Sequence, residues 1–384
     1  MPSKSATSTT TPDPMETILQ FGAGRFLRAF ADLFVHQARS AGQPVGTIVV
    51  VQSTAGDRAG GLRKQGCRYH VAIRGLQDGK KVDAVEKVAS VSRALTAAEN
   101  WPDVLEFARS PNLTMILSNT TEAGYRLDDN DAASASPPVS FPAKLIQVLK
   151  ARFDAGLGGV TLLPCELFES NAQRLLAVVD EQLARWNWRG PFSDWLHGAC
   201  RWRNSLVDRI VSGVPDSHPM LAADPMLIAA EPYGLWAIEH PADVPPDPGS
   251  FDHPNILRTP DVEPYHLRKV RILNGSHTAL VCKALPLGFK TVRDAVEDAE
   301  IGPWLEALMF EEIVPVVAAR AADAEAFASQ TLERFRNPFL EHKLSDIALH
   351  HETKVQVRLV PTRDEYVKLF GKQPKRLAEL LKAF

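Results

Sequence analysis

The segment that begins at Glu16, ETILQFGAGRFLRAFADLFVHQARSAG, restricts the possible folds more than any other stretch of the chain. A short apolar run ends in a glycine turn, after which Phe26, Leu27, Phe30, Leu33 and Phe34 recur at helical spacing. The sequence therefore predicts a strand, a turn and a helix in immediate succession. A second strand is expected at GTIVVV, residues 46–51, between flanking Gly and Ser/Thr. Parallel strands cannot be joined by a tight hairpin, so the first fifty residues read as a right-handed βαβ unit. Apolar runs at 114–117 and 159–163 alternate with helical patterns at 101–108, 143–153 and 172–186. That rhythm gives the fold class as α/β, with a doubly wound Rossmann-type parallel sheet.

Between 240 and 255 the composition changes to HPADVPPDPGSFDHPN, in which the prolines can neither continue a helix nor join the middle of a sheet. Helical patterns dominate beyond it, at 269–283, 291–299, 302–322 and 325–335. The expected organisation is a disordered tail over 1–14, a dinucleotide-binding domain over 15–240, a connection over 241–264, and a mainly α-helical C-terminal domain over 265–384.

Composition excludes several functions. Lys plus Arg number 43 against 46 for Asp plus Glu, a formal charge of −3, so no overall positive field favours nucleic acid. No apolar run reaches the roughly 20 residues of a membrane span, and the Ser/Thr/Pro-rich opening lacks the apolar centre of a secretion signal. Cys67, Cys165, Cys200 and Cys282 have no paired spacing. That pattern fits isolated thiols in the cytoplasm better than disulfides or a zinc site, and no metal is expected.

In QFGAGRFLRAF, Gly22 permits a tight turn and Gly24 lets a phosphate approach backbone N–H groups. Leu27 holds the third glycine position of the dinucleotide fingerprint, so the turn is also compatible with a ligand-free βα connection. Arg25 and Phe26 follow the turn as further cofactor candidates. The second strand ends in Gln52 rather than the acidic residue that accepts the ribose hydroxyls of NAD, and Arg58 lies near enough in sequence to meet a 2′-phosphate. NAD is expected and NADP stays open. SNTTEAG places Asn119, Thr120, Thr121 and Glu122 at a strand end, where they either bind cofactor or cap a helix.

The stretch KVRILNGSHTAL carries Lys269, Asn274 and His277. At about 100° per residue these fall at 0°, about 140° and about 80°, on one helical face. An alcohol dehydrogenase without metal needs a base for the hydroxyl proton and donors that stabilise the developing alkoxide, which Lys, Asn and His together supply. The lysine must be desolvated, or placed beside another cation, to titrate near neutrality. An amphipathic helix with a solvated lysine is the bland alternative, and an aldolase-type Schiff base is the different enzymatic one.

The motif of Lys, four residues, Asn, two residues and His resembles the polyol-specific long-chain dehydrogenases of the mannitol dehydrogenase family. The blocks FGAGRFLRAF, SNTTEAGY, FPAKL, PCELFESN, NSLVDRIVSG, KVRILNGSHTAL, EEIVPV and RFRNPFLEHKLSDIAL run in order and resemble its uronate-reducing members. The resemblance implies a nicotinamide-dependent reduction of a keto-uronate such as tagaturonate, with fructuronate or fructose as alternatives. It implies Lys269 as general acid/base, with Asn274 and His277 polarising the C–O group. Asp208 and Asn171 would lie near the substrate, the alternatives being a surface pair of Asp208 with Arg209 and a helix cap at Asn171. A uronate carboxylate requires a cation, for which Arg336, Lys354 and Arg358 are the candidates. The partner is thus a small sugar acid bound by a monomer or homodimer. His266 stands where the mannitol-type members have a glutamate in their proton path. Longer members continue with a helical segment past this chain's end, which implies a differently built wall of the site.

Overall fold

The computed structural model describes residues 15–383 apart from position 216, and the expected tail, 1–14, lies outside the described residues. Six parallel strands form the main sheet: β1 (Glu16–Phe21), β2 (Thr47–Gln52), β5 (Val91–Thr96), β6 (Met115–Ser118), β7 (Thr161–Pro164) and β8 (Arg201–Trp202), in the order β5-β2-β1-β6-β7-β8. β1 and β2 are almost continuously buried because both faces of the sheet are covered. Period-two alternation divides their side chains. Ile18, Ile48 and Val50 pack with Phe30 and Phe34 on one face, while Leu19, Phe21, Val49 and Val51 pack with Trp101, Leu145 and Leu149 on the other. Each such fully buried side chain contributes about 1.5–3 kcal/mol. The strand order reverses between β1 and β6, which opens a crevice at their carboxyl ends.

Three of the helices of this half lie at Ala97–Ala108, Phe141–Asp154 and Asn171–Arg185, against expectations of 101–108, 143–153 and 172–186. The sequence reading missed a hairpin of β3 (Tyr69–Gln77) and β4 (Lys80–Val88), paired from Tyr69↔Val88 to Gln77↔Lys80. Its turn is Asp78-Gly79, with φ of 52° and 72°, both positive as a two-residue hairpin of this type demands. β3 belongs to a second sheet, ordered β10-β11-β3-β4, with β10 at Val211–Gly213 and β11 at Ile228–Ala230. A third sheet pairs β9 (Ser205–Asp208), β12 (Leu235–Glu239) and β13 (Ile256–Thr259). β13 falls inside the stretch expected to be a connection. The proline-rich residues themselves form no strand, but the four that follow pair at the sheet edge with β12.

Beyond β13 the described chain is helical, around a separate apolar cluster that includes Ile272, Leu280, Leu305, Phe327 and Leu332. One unbroken helix spans Glu263–Arg268, Lys269–Asn274 and Gly275–Ala284, and its middle segment is π-helical.

Candidate functional site

The glycine turn sits at the reversal of strand order. Gly22 has φ +130°, and its N–H donates to Val51 O at 3.0 Å, which ties the end of β1 to β2. A Cβ on Gly22 would approach Asn119 O and Leu27 Cδ1 to 3.3 Å, so Leu27 supplies by side chain the packing that a third glycine usually permits. A Cβ on Gly24 would meet nothing within 4 Å. The space before that residue is open for a ligand. It belongs to a cavity of about 550 Å³ lined by the glycine turn, the end of β2, the SNTTEAG loop and Ser140–Lys144.

Among the cofactor candidates, Gly22, Gly24, Gln52, Thr120 and Thr121 line this cavity. Arg25 and Phe26 do not. The Arg25 guanidinium lies against Gly213, and Phe26 stacks on Phe30 with ring centroids 4.9 Å apart, because the first helical turn carries both side chains onto the second sheet and the core. The Glu122 side chain lies outside the described residues. Thr120 and Thr121 cap no helix with their side chains. The Thr120 N–H donates to Glu166 Oε1 at 2.9 Å, and Ser118 and Tyr125 hydroxyls donate to Glu166 Oε2. Glu166 thus anchors the loop, a role invisible in sequence because its partners come from a different strand end.

Lys269 stands in the first turn of the π segment, its side chain 13% exposed. In an α-helix Asn274 would lie well round the axis, but a π turn closes over five residues and brings Asn274 back toward Lys269. The Lys269 ammonium donates to Val207 O at 2.6 Å and lies 4.0 Å from Asp208 Oδ1. Burial lowers its pKa below the ordinary 10.5; Asp208 opposes that shift and Arg334 reinforces it. The Asn274 side-chain amide has no hydrogen-bond partner within the protein among the described residues. His277 is 6% exposed, stacks on Phe335 at 4.3 Å between centroids, and its Nε2 has no partner. Burial, then His342, Arg334, Arg358 and Lys354, drive its pKa well below 6.5, so the imidazole is neutral at pH 7. One amine, one free amide and one free ring nitrogen thus share this helix.

Asp208 does not form the surface pair considered for it. Arg334 donates to both its oxygens, at 2.9 and 3.1 Å, and to both oxygens of Glu231, at 2.8 and 3.0 Å. Burial alone would raise the Asp208 pKa, but Arg334 and Lys269 hold it below its ordinary value. Glu231 goes the other way, raised by burial against the opposing charge of Arg334. Asn171 is neither a helix cap nor free for substrate. Its amide nitrogen donates to Pro164, Glu166 and Ser205 carbonyls, and its oxygen accepts from Ser205 N at 3.0 Å. It fastens β7 to β9, the strand whose Val207 carbonyl holds Lys269.

Arg336 is exposed. Arg334, two residues earlier, is the buried one, and the sequence reading missed it. Its signal was helical spacing: Phe327, Thr331 and Arg334 fall on one inward face of Ala324–Phe335, and Arg336 falls beyond that helix. Lys354 donates to Ile347 O at 2.8 Å and Arg358 to Thr278 Oγ1 at 3.2 Å. Both are half-buried, and neither pairs with a carboxylate among the described residues. His266 pairs through Nδ1 with Glu169 at 3.3 Å. Among the described residues no group of three or more His, Cys, Asp or Glu is arranged to hold a metal.

The description "Mannitol dehydrogenase Rossmann domain" matches residues 16–248, and "Mannitol dehydrogenase C-terminal domain" matches 261–383. The chain belongs to the mannitol dehydrogenase family. With that membership it is an oxidoreductase acting on a CH–OH group. Among similar family members is the altronate oxidoreductase of Bacillus subtilis (strain 168), 38% identical over 375 residues, which cover 94% of this chain and 77% of that protein. The altronate oxidoreductase of Klebsiella pneumoniae (strain 342) is 38% identical over 385 residues, covering 96% and 79%. The fold resembles a D-sorbitol dehydrogenase in substrate-free form, with TM-score 0.83 and 24% identity over 96% of this chain and 79% of that one. It also resembles Pseudomonas fluorescens mannitol 2-dehydrogenase in a ternary complex with NAD and D-mannitol, with TM-score 0.76 and 22% identity over 97% and 78%. No helix among the described residues is long and apolar enough to cross a membrane.

Proposed function

We propose that the enzyme catalyses the reversible reduction of a keto-uronate, tagaturonate to altronate, with NAD as its cofactor. The residues of the glycine-turn cavity fit a dinucleotide: Gly24 leaves room for a phosphate, and the buried Ser53 hydroxyl has no partner. Gly22, Gly24, Thr120 and Thr121 would hold it. When bound, the nicotinamide supplies hydride to the carbonyl carbon, or accepts it in reverse.

Lys269 donates the proton to the substrate oxygen, since a desolvated ammonium beside Arg334 gives up its proton more readily than a free one. Asn274 and His277 donate to the same oxygen as negative charge develops, using the two side-chain groups that no protein atom engages. Asp208 acts through Arg334 and Lys269, as a fixed negative charge that keeps both cations in place.

The observation that carries the uronate reading is the pair Lys354 and Arg358. Two half-buried cations without carboxylate partners act electrostatically on His277, where a sugar acid can pair with them. The relatives named altronate oxidoreductase support the choice of tagaturonate. Four free thiols support a cytoplasmic enzyme, which we take to be a monomer or homodimer, with the dinucleotide half ending near 240 and the helical half beginning near 265.

Oxidation of NADH followed at 340 nm against tagaturonate, fructuronate and fructose tests the reading. The highest kcat/KM is expected for tagaturonate. Preference for fructuronate would reassign the substrate, equal turnover of fructose would remove the carboxylate site, and no turnover of any of them would refute the activity.

A further inference from the structure

Two carboxylates converge on the Arg334 guanidinium, and only one of them lies beside the proposed proton donor. Asp208 stands 4.0 Å from the Lys269 ammonium, whereas Glu231, which follows β11, makes no ion pair with Lys269 among the described residues. Glu231 is nonetheless fully engaged. Its Oε1 accepts from Ile210 N at 2.6 Å and from Arg334 Nη2 at 2.8 Å, and its Oε2 accepts from Arg334 Nε at 3.0 Å. Its backbone is tied as well: Glu231 N donates to Ile210 O at 3.0 Å, and Arg209 Nε donates to Glu231 O at 2.9 Å. The second sheet thus gives this carboxylate a fixed place. Burial raises its pKa, but all three side-chain partners are donors, so a proton on either oxygen would face N–H groups alone. The hydrogen-bond pattern keeps Glu231 charged.

The cluster then holds two cations, Lys269 and Arg334, and two anions, Asp208 and Glu231, with side chains between 2% and 13% exposed. Their charges cancel. Loss of one anion would leave a net positive charge in a site with little water to screen it. Only the lysine can relieve that charge, because a guanidinium keeps its proton at any working pH. The surroundings of Lys269 point the same way. Burial is the largest influence and lowers its pKa; Asp208 opposes burial, Arg334 and Arg358 reinforce it, and Glu231 opposes it. His266, three residues earlier, faces Glu169, and Lys354 acts on His277. Arg271 of the π segment pairs with Glu365 at 3.0 Å, and Glu311 and Glu312, in the segment Met309–Ile313 packed against it, pair with Arg376. Of the anions, Asp208 and then Glu231 act most strongly on the ammonium.

We propose that Glu231 is a positioning residue that keeps Lys269 in its protonated form, by fixing Arg334 against Asp208 and cancelling the guanidinium charge. Glu231 takes Nε and one hydrogen of Nη2, which leaves the Nη1–Nη2 edge to Asp208. An ammonium is the form that gives a proton to a carbonyl oxygen, and the free amine is the form that takes one from an alcohol. Glu231 thereby keeps the enzyme poised for reduction up to a higher pH than Lys269 beside an uncompensated Arg334 would reach. The equilibrium of the reaction is untouched, since only the protonation of the enzyme changes.

This inference rests on Lys269 being the proton donor, and its test separates the two. The kcat values for tagaturonate reduction and altronate oxidation are followed against pH in the parent, Glu231→Gln, Glu231→Asp and Lys269→Ala. Glu231→Gln keeps the shape and drops the charge, and should move the midpoints of both profiles about one pH unit toward acid. Between the old and new midpoints reduction slows by up to about tenfold while oxidation quickens, whereas damaged packing would slow both directions. Glu231→Asp retains the charge on a shorter side chain and should lower Tm while leaving the midpoints in place. Unmoved midpoints in Glu231→Gln, or a slowing of both directions alike, overturn this inference and leave Lys269 as the donor. An acid shift of about one unit in Glu231→Asp does the same, even where Glu231→Gln does not fold. A parent midpoint that persists in Lys269→Ala belongs to another group, and overturns both readings.

Discussion

Replacing Arg334 by Met probes the charge cluster beneath Lys269, the proposed proton donor. The guanidinium is 2% exposed and makes four hydrogen bonds of 2.8–3.1 Å to Asp208 and Glu231, which are 3% and 2% exposed. Methionine fills much of the volume but leaves two carboxylates buried side by side, with Lys269 at 4.0 Å as the remaining cation. Removing one member of a buried ion pair costs about 3–5 kcal/mol. The cost depends on pH in a defined direction. Without Arg334 the folded-state pKa values of both carboxyls rise above their unfolded values, so the folded variant binds more protons than its unfolded chain and loses stability as pH rises. Urea unfolding followed by tryptophan fluorescence should therefore show a deficit against the parent of about 4 kcal/mol at pH 8, falling to about 2 kcal/mol at pH 5. A deficit below about 1 kcal/mol at pH 8, or one that grows toward pH 5, would mean that the cluster is not organised by this charge.

Asp32 is fully buried, and its pKa is raised to about 7, chiefly by desolvation, from an ordinary 3.8. Tyr69 has one hydroxyl proton but lies within bonding distance of both Arg28 O, at 2.8 Å, and Asp32 Oδ2, at 3.0 Å, an arrangement completed when Asp32 is protonated and donates to Tyr69. The folded state thus holds a proton that the unfolded chain releases, and stability falls as pH rises from about 4 to about 7. Asp32→Asn should remove that slope and gain about 2–3 kcal/mol on the parent between pH 5 and pH 8; parallel stability curves would contradict it. Gly22→Ala places a Cβ at φ +130° within 3.3 Å of Asn119 O and Leu27 Cδ1. Fluorescence titration should show NADH binding weakened about tenfold, and undiminished affinity would show that the turn does not shape the site. Arg358→Ala combined with Lys354→Ala should raise KM for uronates about tenfold or more while changing KM for neutral ketoses little. Equal shifts would remove the carboxylate contact.

The parts of this molecule that were legible in the sequence are those specified by neighbouring residues. The glycine turn, the two buried strands around it and the Lys269–His277 helix each announce themselves within a dozen positions. The Asp78-Gly79 turn carried an equally local signal for the β3–β4 hairpin, but its polar second strand hides the pairing, because residues of Lys80–Val88 are mostly exposed. What sequence did not show depends on distant partners. Asp208 and Arg334 are 126 positions apart, and nothing at either end marks them as a pair. Asn171 likewise looks available until Pro164, Glu166 and Ser205 are seen to saturate its amide. The π segment is a third case, since an ideal α-helix places Asn274 correctly on the site's face but too far round from Lys269.

The central claim is that Lys269 supplies the proton. Steady-state reduction of tagaturonate by Lys269→Ala, with NADH binding measured separately by fluorescence, tests it most directly. The account predicts a kcat lower by about 10²-fold or more with NADH affinity retained, and a parent kcat that declines as pH rises through a lysine pKa below the ordinary 10.5. A variant that turns over at close to the parent rate would contradict it.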